Sequence, residues 1–335
     1  MTKPKNKTEF RALMAEEFAH VLEEKGLEWR KEWGGTAFQN RNGVTNAPYH
    51  GVNAFWLSLV SIAENYKDPR WVTMLQIRDE KGKYHPGEHW HLKAGSKATY
   101  VEYWYPYDSV EQKAVTWKEY HEGLSNGREK NEYVMSVRYT PVFNASQVEG
   151  MAELTAEKTN PDITVDELVK KLSEAMNVEI LTDGGDKAYY SRTQDKIHLP
   201  LPETFTDDYA FNATALHELS HATGHPDRLN RAMSAFYGAH GYGYEELVAE
   251  IAACFMGAEL DMEPTKEHLE NHKAYVQGWV KEIREKPEIL VKAIREAERV
   301  SAYMEAKAGL IPEAAFQAVE ENAVEVRHKE SEQER

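Results

Sequence analysis

Residues 207–224 read DDYAFNATALHELSHATG, and the spacing predicts one capped helix, with Asp207 or Asp208 at its start and Gly224 at its end. On that helix His217 and His221 stand four residues apart and share a face, so both imidazoles can reach one tetrahedral Zn²⁺. Glu218 lies one position round. From there it is too far round to bind the metal, but it can take a proton from a zinc-bound water as general base and pass it to a leaving amine. His217-Glu218-Leu219-Ser220-His221 is thus the HExxH pattern of a metallopeptidase. The competing reading is a helix whose two histidines satisfy hydrogen bonds inside a core.

A catalytic zinc needs a third protein ligand. Two segments offer one. HELSHATGHPD places Asp227 at HExxHxxGxxD spacing, where Gly224 lets the chain double back toward the metal. The next helix offers Glu245, Glu246 and Glu250. Glu246 is the preferred ligand, because Glu250 then stands one turn on and can accept the second ring N–H of a ligating histidine. Asp227, Glu245 and Glu250 are the alternatives, and His225 reads as a cap or loop residue. Just before that helix, the glycine-rich AHGYGY of residues 239–244 supplies His240, Tyr242 and Tyr244, which are either oxyanion donors or loop residues. Upstream, AYYSRTQDKIHLP (residues 188–200) reads as a two-strand ribbon turning at Thr193–Asp195, either a support for an extended substrate or an ordinary hairpin. Cys254 reads as core.

Outward from this centre, helices are expected over 165–175, 244–258, 266–285 and 288–308, with short strands at 178–181, 188–190 and 196–199. Earlier in the chain, Phe10, Leu13, Met14, Phe18, Val21 and Leu22 make an amphipathic helix of residues 8–25, and VNAFWLSLVSIAENY a buried one. A glycine- and asparagine-rich loop separates them, a short helix is expected near 73–80, and strands near 99–105 and 133–143. The fold class is α+β. Three segments are expected: an α+β domain over 1–150, a metallopeptidase domain over 160–312, and an acidic, partly disordered tail over 313–335.

Charge divides along the same line. The net charge is −16, yet residues 1–150 carry 20 basic and 20 acidic side chains, so the whole excess lies in 151–335. Seven of the eight tryptophans precede residue 150. One cysteine excludes a disulfide scaffold or a cysteine-rich zinc module. No apolar run approaches the roughly 18 residues that span a bilayer, and MTKPKNKTEF has no apolar stretch behind its basic residues, so a cytoplasmic protein is expected without a membrane partner. Within the neutral half, Arg41, Asn42, Asn53, Arg70, Gln76, Lys93 and Lys97 accompany the aromatic Tyr49, Trp71, Tyr84 and Trp90. Cations along a backbone and flat rings beneath bases are what a groove for single-stranded nucleic acid requires, although these rings can equally be core.

Several motifs recur together: Pro48-Tyr49-x-Gly51-x-Asn53, Asp68-Pro69-Arg70-Trp71-x-Thr73-x-x-Gln76, Tyr103-Trp104, Val142-Phe143-Asn144-x-Ser146-Gln147, Asp195-x-Ile197-x-Leu199-Pro200, Arg228-Leu229-x-Arg231 and Glu245-Glu246-Leu247-Val248-Ala249-Glu250. On these the chain resembles the ArdC-type antirestriction proteins of mobile elements, whose N-terminal domain is shared with TraC-type primases. The resemblance implies an N-terminal domain that binds single-stranded DNA and a zincin-like C-terminal domain. It favours His217, His221 and Glu246 as ligands with Glu218 as base. It also implies Lys93 and Lys97 in a phosphate-facing stretch. Host restriction proteins or other DNA-bound proteins are the expected protein partners, and two other functions compete: a DNA-coating or DNA-mimicking protein with structural zinc, and a protease acting on proteins bound or crosslinked to DNA. Glu218 separates the peptidase from the binding protein, since a structural zinc needs no base.

Overall fold

The computed structural model describes residues 2–26, 40–154, 164–183, 185–205, 208–231, 241–260 and 273–320. In chain order its elements are α1 (Lys7–Lys25), β1 (Arg41–Asn42), α2 (Gly51–Glu64), β2 (Arg70–Thr73), α3 (Met74–Arg78), β3 (His91–Leu92), β4 (Thr99–Asp108), β5 (Lys113–Ala114), α4 (Trp117–Ser125), β6 (Tyr133–Asn144) and β7 (Val148–Glu149). There follow α5 (Val165–Met176), β8 (Glu179–Thr182), β9 (Tyr189–Ser191), β10 (Lys196–Leu199), α6 (Asp208–Ala222), α7 (Gly241–Leu260), α8 (Lys273–Glu285) and α9 (Pro287–Ala308). Asp207, one of the two expected caps, lies outside the described residues, as do 321–335 of the tail. Helices and sheets mix throughout, an α+β fold.

Contacts divide the chain into two compact units that alternate along the sequence. Met1–Phe10, Arg41–Ala47 and Arg70–Glu153 form the first; Arg11–Asn40, Pro48–Pro69 and Leu154–Arg335 form the second. The division is therefore not one cut near 150, because most of α1 and all of α2 group with the C-terminal helices.

The first unit is a five-stranded sheet in the order β1-β2-β6-β4-β5, with β3 paired to β7 beside it. Its spine is the antiparallel β4–β6 ribbon, registered from Thr99 opposite Val142 to Asp108 opposite Tyr133. Val72, Ile77, Phe143 and Val148 form its core cluster, with Trp90 and Met151 packed against it. Thr73 ends β2 and begins α3 in one step, since its hydroxyl accepts from the Gln76 N–H while the Gln76 carboxamide accepts from the Thr73 N–H. The same reciprocal cap starts α4 at Thr116 and Glu119, a helix that the sequence reading omits.

The second unit is mostly helical. In α1, Met14, Phe18, Val21 and Leu22 are buried at the spacing that periodicity predicts, and Phe18 meets Phe55 of α2 edge-on at 5.2 Å between ring centroids. Phe55, Trp56, Leu57 and Leu59 are all buried, as expected for a helix apolar on most sides. Parallel pairing of β8 with β10 and antiparallel pairing of β10 with β9 make a three-stranded sheet beside α6, with β9 at one edge. Asp195 adopts the left-handed conformation (φ 52°) in the β9–β10 turn, which lies where the sequence places it. Residues 313–320 are helical and Phe316 is buried, so this part of the expected tail packs rather than trails.

Candidate metal centre

Leu216, Leu219 and Ala222 of α6 are buried and fix one side of the helix in the core. That orientation turns His217 and His221 toward α7. Their Nε2 atoms lie 3.1 Å apart, and each lies 3.4 Å from an oxygen of Glu246. Ligand atoms of His217, His221 and Glu246 all lie within 4.8 Å of one another, and all three residues are buried. Two imidazole nitrogens and one carboxylate facing a common point are the donor set of a divalent-metal site with further coordination positions open. The residues fit such an ion.

The surroundings orient these donors. The far nitrogen of His221, Nδ1, lies 3.2 Å from Glu245 Oε1, and Glu245 Oε2 accepts from Arg231 at 2.8 Å. Arg231 also donates to the Ser220 carbonyl (2.8 Å) and to the Thr223 hydroxyl (3.2 Å), so it joins the end of α6 to the start of α7. Glu250 is fully buried, with Oε1 3.9 Å from His217 Nδ1. Each ring thus faces the common point with Nε2 and a carboxylate with Nδ1, and the 3.2 Å His221–Glu245 contact fixes the tautomer and direction of that ring.

The electrostatics agree. Burial would raise the Glu246 carboxyl, yet hydrogen bonds and charge from His217 and His221 hold it well below the usual range. Burial would lower both imidazoles, but the facing carboxylates raise them, His221 most through Glu245 and Glu246. Glu245 is lowered because Arg231 and His221 outweigh its burial. Glu218 is buried beside them.

A second clamp holds the helix end against the sheet. Arg228 donates to the Ala222 carbonyl (2.6 Å), the Met176 carbonyl (3.2 Å), the Tyr190 hydroxyl (3.1 Å) and both carboxylate oxygens of Asp195. Arg228, Arg231 and Asp195 belong to the quoted motifs, but only the structure gives their work, because their partners lie between 5 and 52 residues away.

Other expectations fare differently. Asp227 is not brought to the centre: its side chain is 87% exposed and lies 3.6 Å from His225, because the chain turns away after Gly224. His240 and the Tyr242 side chain lie outside the described residues, while Tyr244 is half-buried near the start of α7. Trp71 is fully buried at the middle of β2 and cannot stack on a base. Gln76 is also buried, held by Asn42 and by its role in the α3 cap. Asn42 itself accepts from the N–H groups of Val44 and Thr45, closing a turn. Arg70 donates to the Ala152 carbonyl at 2.8 Å, Arg41 is half-buried, and Lys93 and Lys97 are exposed. Half-buried Tyr49 and Asn53 group with the second unit instead of the first. The set expected to line one groove is therefore partly core and divided between two bodies.

A model of the N-terminal domain of anti-restriction factor ArdC matches residues 8–143, and a zincin-like metallopeptidase model matches residues 167–296. The metal-free crystal structure of antirestriction ArdC protein from plasmid R388 superposes with a TM-score of 0.67 at 25% identity, covering 90% of this chain and 98% of that one. This chain carries an ArdC-type N-terminal domain followed by a zincin-like metallopeptidase domain. The Mn(II)-bound structure of that ArdC has the same TM-score at 24% identity, covering 89% and 97%. DNA primase TraC of Escherichia coli is 31% identical over 308 residues, which are 89% of this chain but 27% of the primase, so the chain spans about a quarter of that relative. An uncharacterised Sinorhizobium fredii protein, y4eC, is 25% identical over 91% of this chain and 94% of its own length. Among the described residues no helix is long and apolar enough to cross a membrane.

Proposed function

We propose that this ArdC-type chain is a cytoplasmic antirestriction protein of a mobile genetic element, which binds single-stranded DNA and cleaves peptide bonds at a zinc site made by His217, His221 and Glu246. The convergence of those three buried donors carries the reading. The family model over 167–296 and the plasmid-borne ArdC relative support it. The Mn(II) in that relative is consistent with a divalent ion here. Zinc is favoured because two imidazoles and one carboxylate are the ligand set of catalytic zinc in several peptidases.

A bound zinc supplies Lewis acidity, which makes water acidic near pH 7 and polarises a carbonyl. The chain's own residues do the remaining work. Glu218 takes the proton from the attacking water and delivers it to the leaving amine nitrogen. His217 and His221 keep their Nε2 lone pairs toward the centre because Glu250 and Glu245 face their other nitrogens. Arg231 neutralises Glu245, so Glu245 faces the imidazole instead of entering the donor set.

The test compares wild type with Glu218→Gln in the presence of single-stranded DNA, measuring metal content, cleavage of the chain itself and of candidate protein partners, and protection of incoming DNA. The proposal expects normal metal content, cleavage reduced at least about 100-fold, and loss of protection. Full protection by the Gln variant would remove proteolysis as the source of function and leave DNA coating.

A further inference from the structure

One face of the β4–β6 ribbon in the first unit takes no part in the metal centre. Tyr103, Tyr105 and Tyr107 alternate along β4 and so project from one face, while Glu102, Pro106 and Asp108 are buried on the other. Opposite them, β6 contributes Val134, Ser136, Arg138 and Thr140 to the same face through the register Tyr103–Arg138 and Tyr107–Val134. Tyr103 is 45% exposed and Val134 54% exposed, unusual for large side chains at the middle and end of a sheet's spine. The Arg138 guanidinium carbon lies 4.3 Å from the Tyr103 ring centroid and 5.7 Å from that of Tyr105. Lys3 and Lys5 are exposed and line a shallow cavity with Arg138.

We infer that this tyrosine ladder is the surface on which single-stranded DNA lies. The inference rests on the DNA-binding part of the proposed function and replaces the 41–97 segment as the seat of base contact. Alternate residues on a strand stand about 6.8 Å apart, twice the roughly 3.4 Å thickness of a base, so successive rings can each take one base or share one between them. Aromatic faces accept any base, which suits binding without sequence preference. Arg138 extends the platform with a second flat group and a positive charge, and Lys3 and Lys5 continue that charge at the ribbon's margin. None of the seven residues on this face is acidic. A phosphate backbone laid on them meets the Arg138 cation and no carboxylate, whereas an acidic face on the ribbon would repel it.

Fluorescence anisotropy with labelled oligothymidylate and the full-length chain tests this. Tyr103→Ala and Tyr105→Ala are expected to weaken binding about 5- to 100-fold each, and Tyr103→Phe, which keeps the ring, less than about twofold. Arg138→Ala is expected to weaken binding and to lower the slope of log affinity against log salt by about 0.7. Circular dichroism and a thermal melt identify any variant that has lost its fold, and Tyr103→Phe gives the reading independent of fold. Wild-type binding that Tyr103→Ala, Tyr105→Ala and Arg138→Ala leave unchanged overturns the ladder while keeping the DNA-binding reading. A wild-type chain that ignores the oligonucleotide overturns both.

Discussion

Glu245 and Glu246 are neighbours in sequence with opposite duties. Glu246 faces both Nε2 atoms, while Glu245 is held by Arg231 on one oxygen and faces His221 Nδ1 with the other. Glu245→Gln is therefore expected to leave the donors in place but to lower metal affinity about 10- to 100-fold, as measured by competition with a chelating dye. The imidazoles also set a pH dependence. Both hold a proton above the usual histidine range when the ion is absent, because their carboxylate partners outweigh burial. Metal must displace those protons, so apparent affinity rises as pH climbs through the raised values and levels off above them. Between pH 5 and pH 7 the metal dissociation constant is expected to fall steeply, by more than tenfold per pH unit if both rings are charged at the start. A flat profile would mean that neither ring loses a proton on binding.

The helix carrying His217 and His221 was legible because its signal is local: an i, i+4 pair, a glycine stop and an apolar stripe all fall within 18 residues. Glu246 was legible for a similar reason, since Glu250 lies one turn further along the same helix. Arg228 and Arg231 could be quoted but not interpreted, because their partners come from β9, the β9–β10 turn and α7. The burial of Trp71 leaves no trace in the sequence, since a four-residue strand buried through its middle shows no alternation. At this scale the packing of elements gives two predictions. Gly51 opens α2 at φ +51°, and a Cβ there would meet Glu298 Oε2 of α9 at 2.6 Å. Gly51→Ala is expected to cost about 1–3 kcal/mol in denaturant melts. Glu298 itself is pushed up to about 7 by burial, a pull only partly offset by the Gly51 N–H. The folded state binds that proton more tightly than the unfolded one, so the contribution is present below about pH 4.5 and lost as pH rises through 7. Glu298→Gln should thus raise the melting temperature at pH 8.5 by several degrees relative to wild type and show little gain at pH 5.

Across the whole chain, the family models fall on 8–143 and 167–296, but the packing does not follow that division. α2 is a buried apolar helix that contacts α9, and Arg284 of α8 pairs with Glu16 and Glu23 of α1. A fragment ending at residue 150 lacks α9, against which α2 with its buried Phe55, Trp56 and Leu57 packs. Such a fragment is expected to aggregate or to melt well below the intact chain, so DNA binding belongs on the full length. The charge split remains meaningful in this interleaved architecture, since the excess of 16 negative charges falls in the part that holds the metal site.

α6 and α7 together bring the donors of one candidate metal centre into a single cluster. Elemental analysis of wild type, Glu246→Ala, Asp227→Ala and Glu218→Gln purified in excess zinc and desalted tests it most directly. About one zinc per chain is expected in wild type, Asp227→Ala and Glu218→Gln, and less than about a tenth in a folded Glu246→Ala. A Glu246→Ala chain that keeps its full zinc, or an Asp227→Ala chain that loses it, would contradict the account.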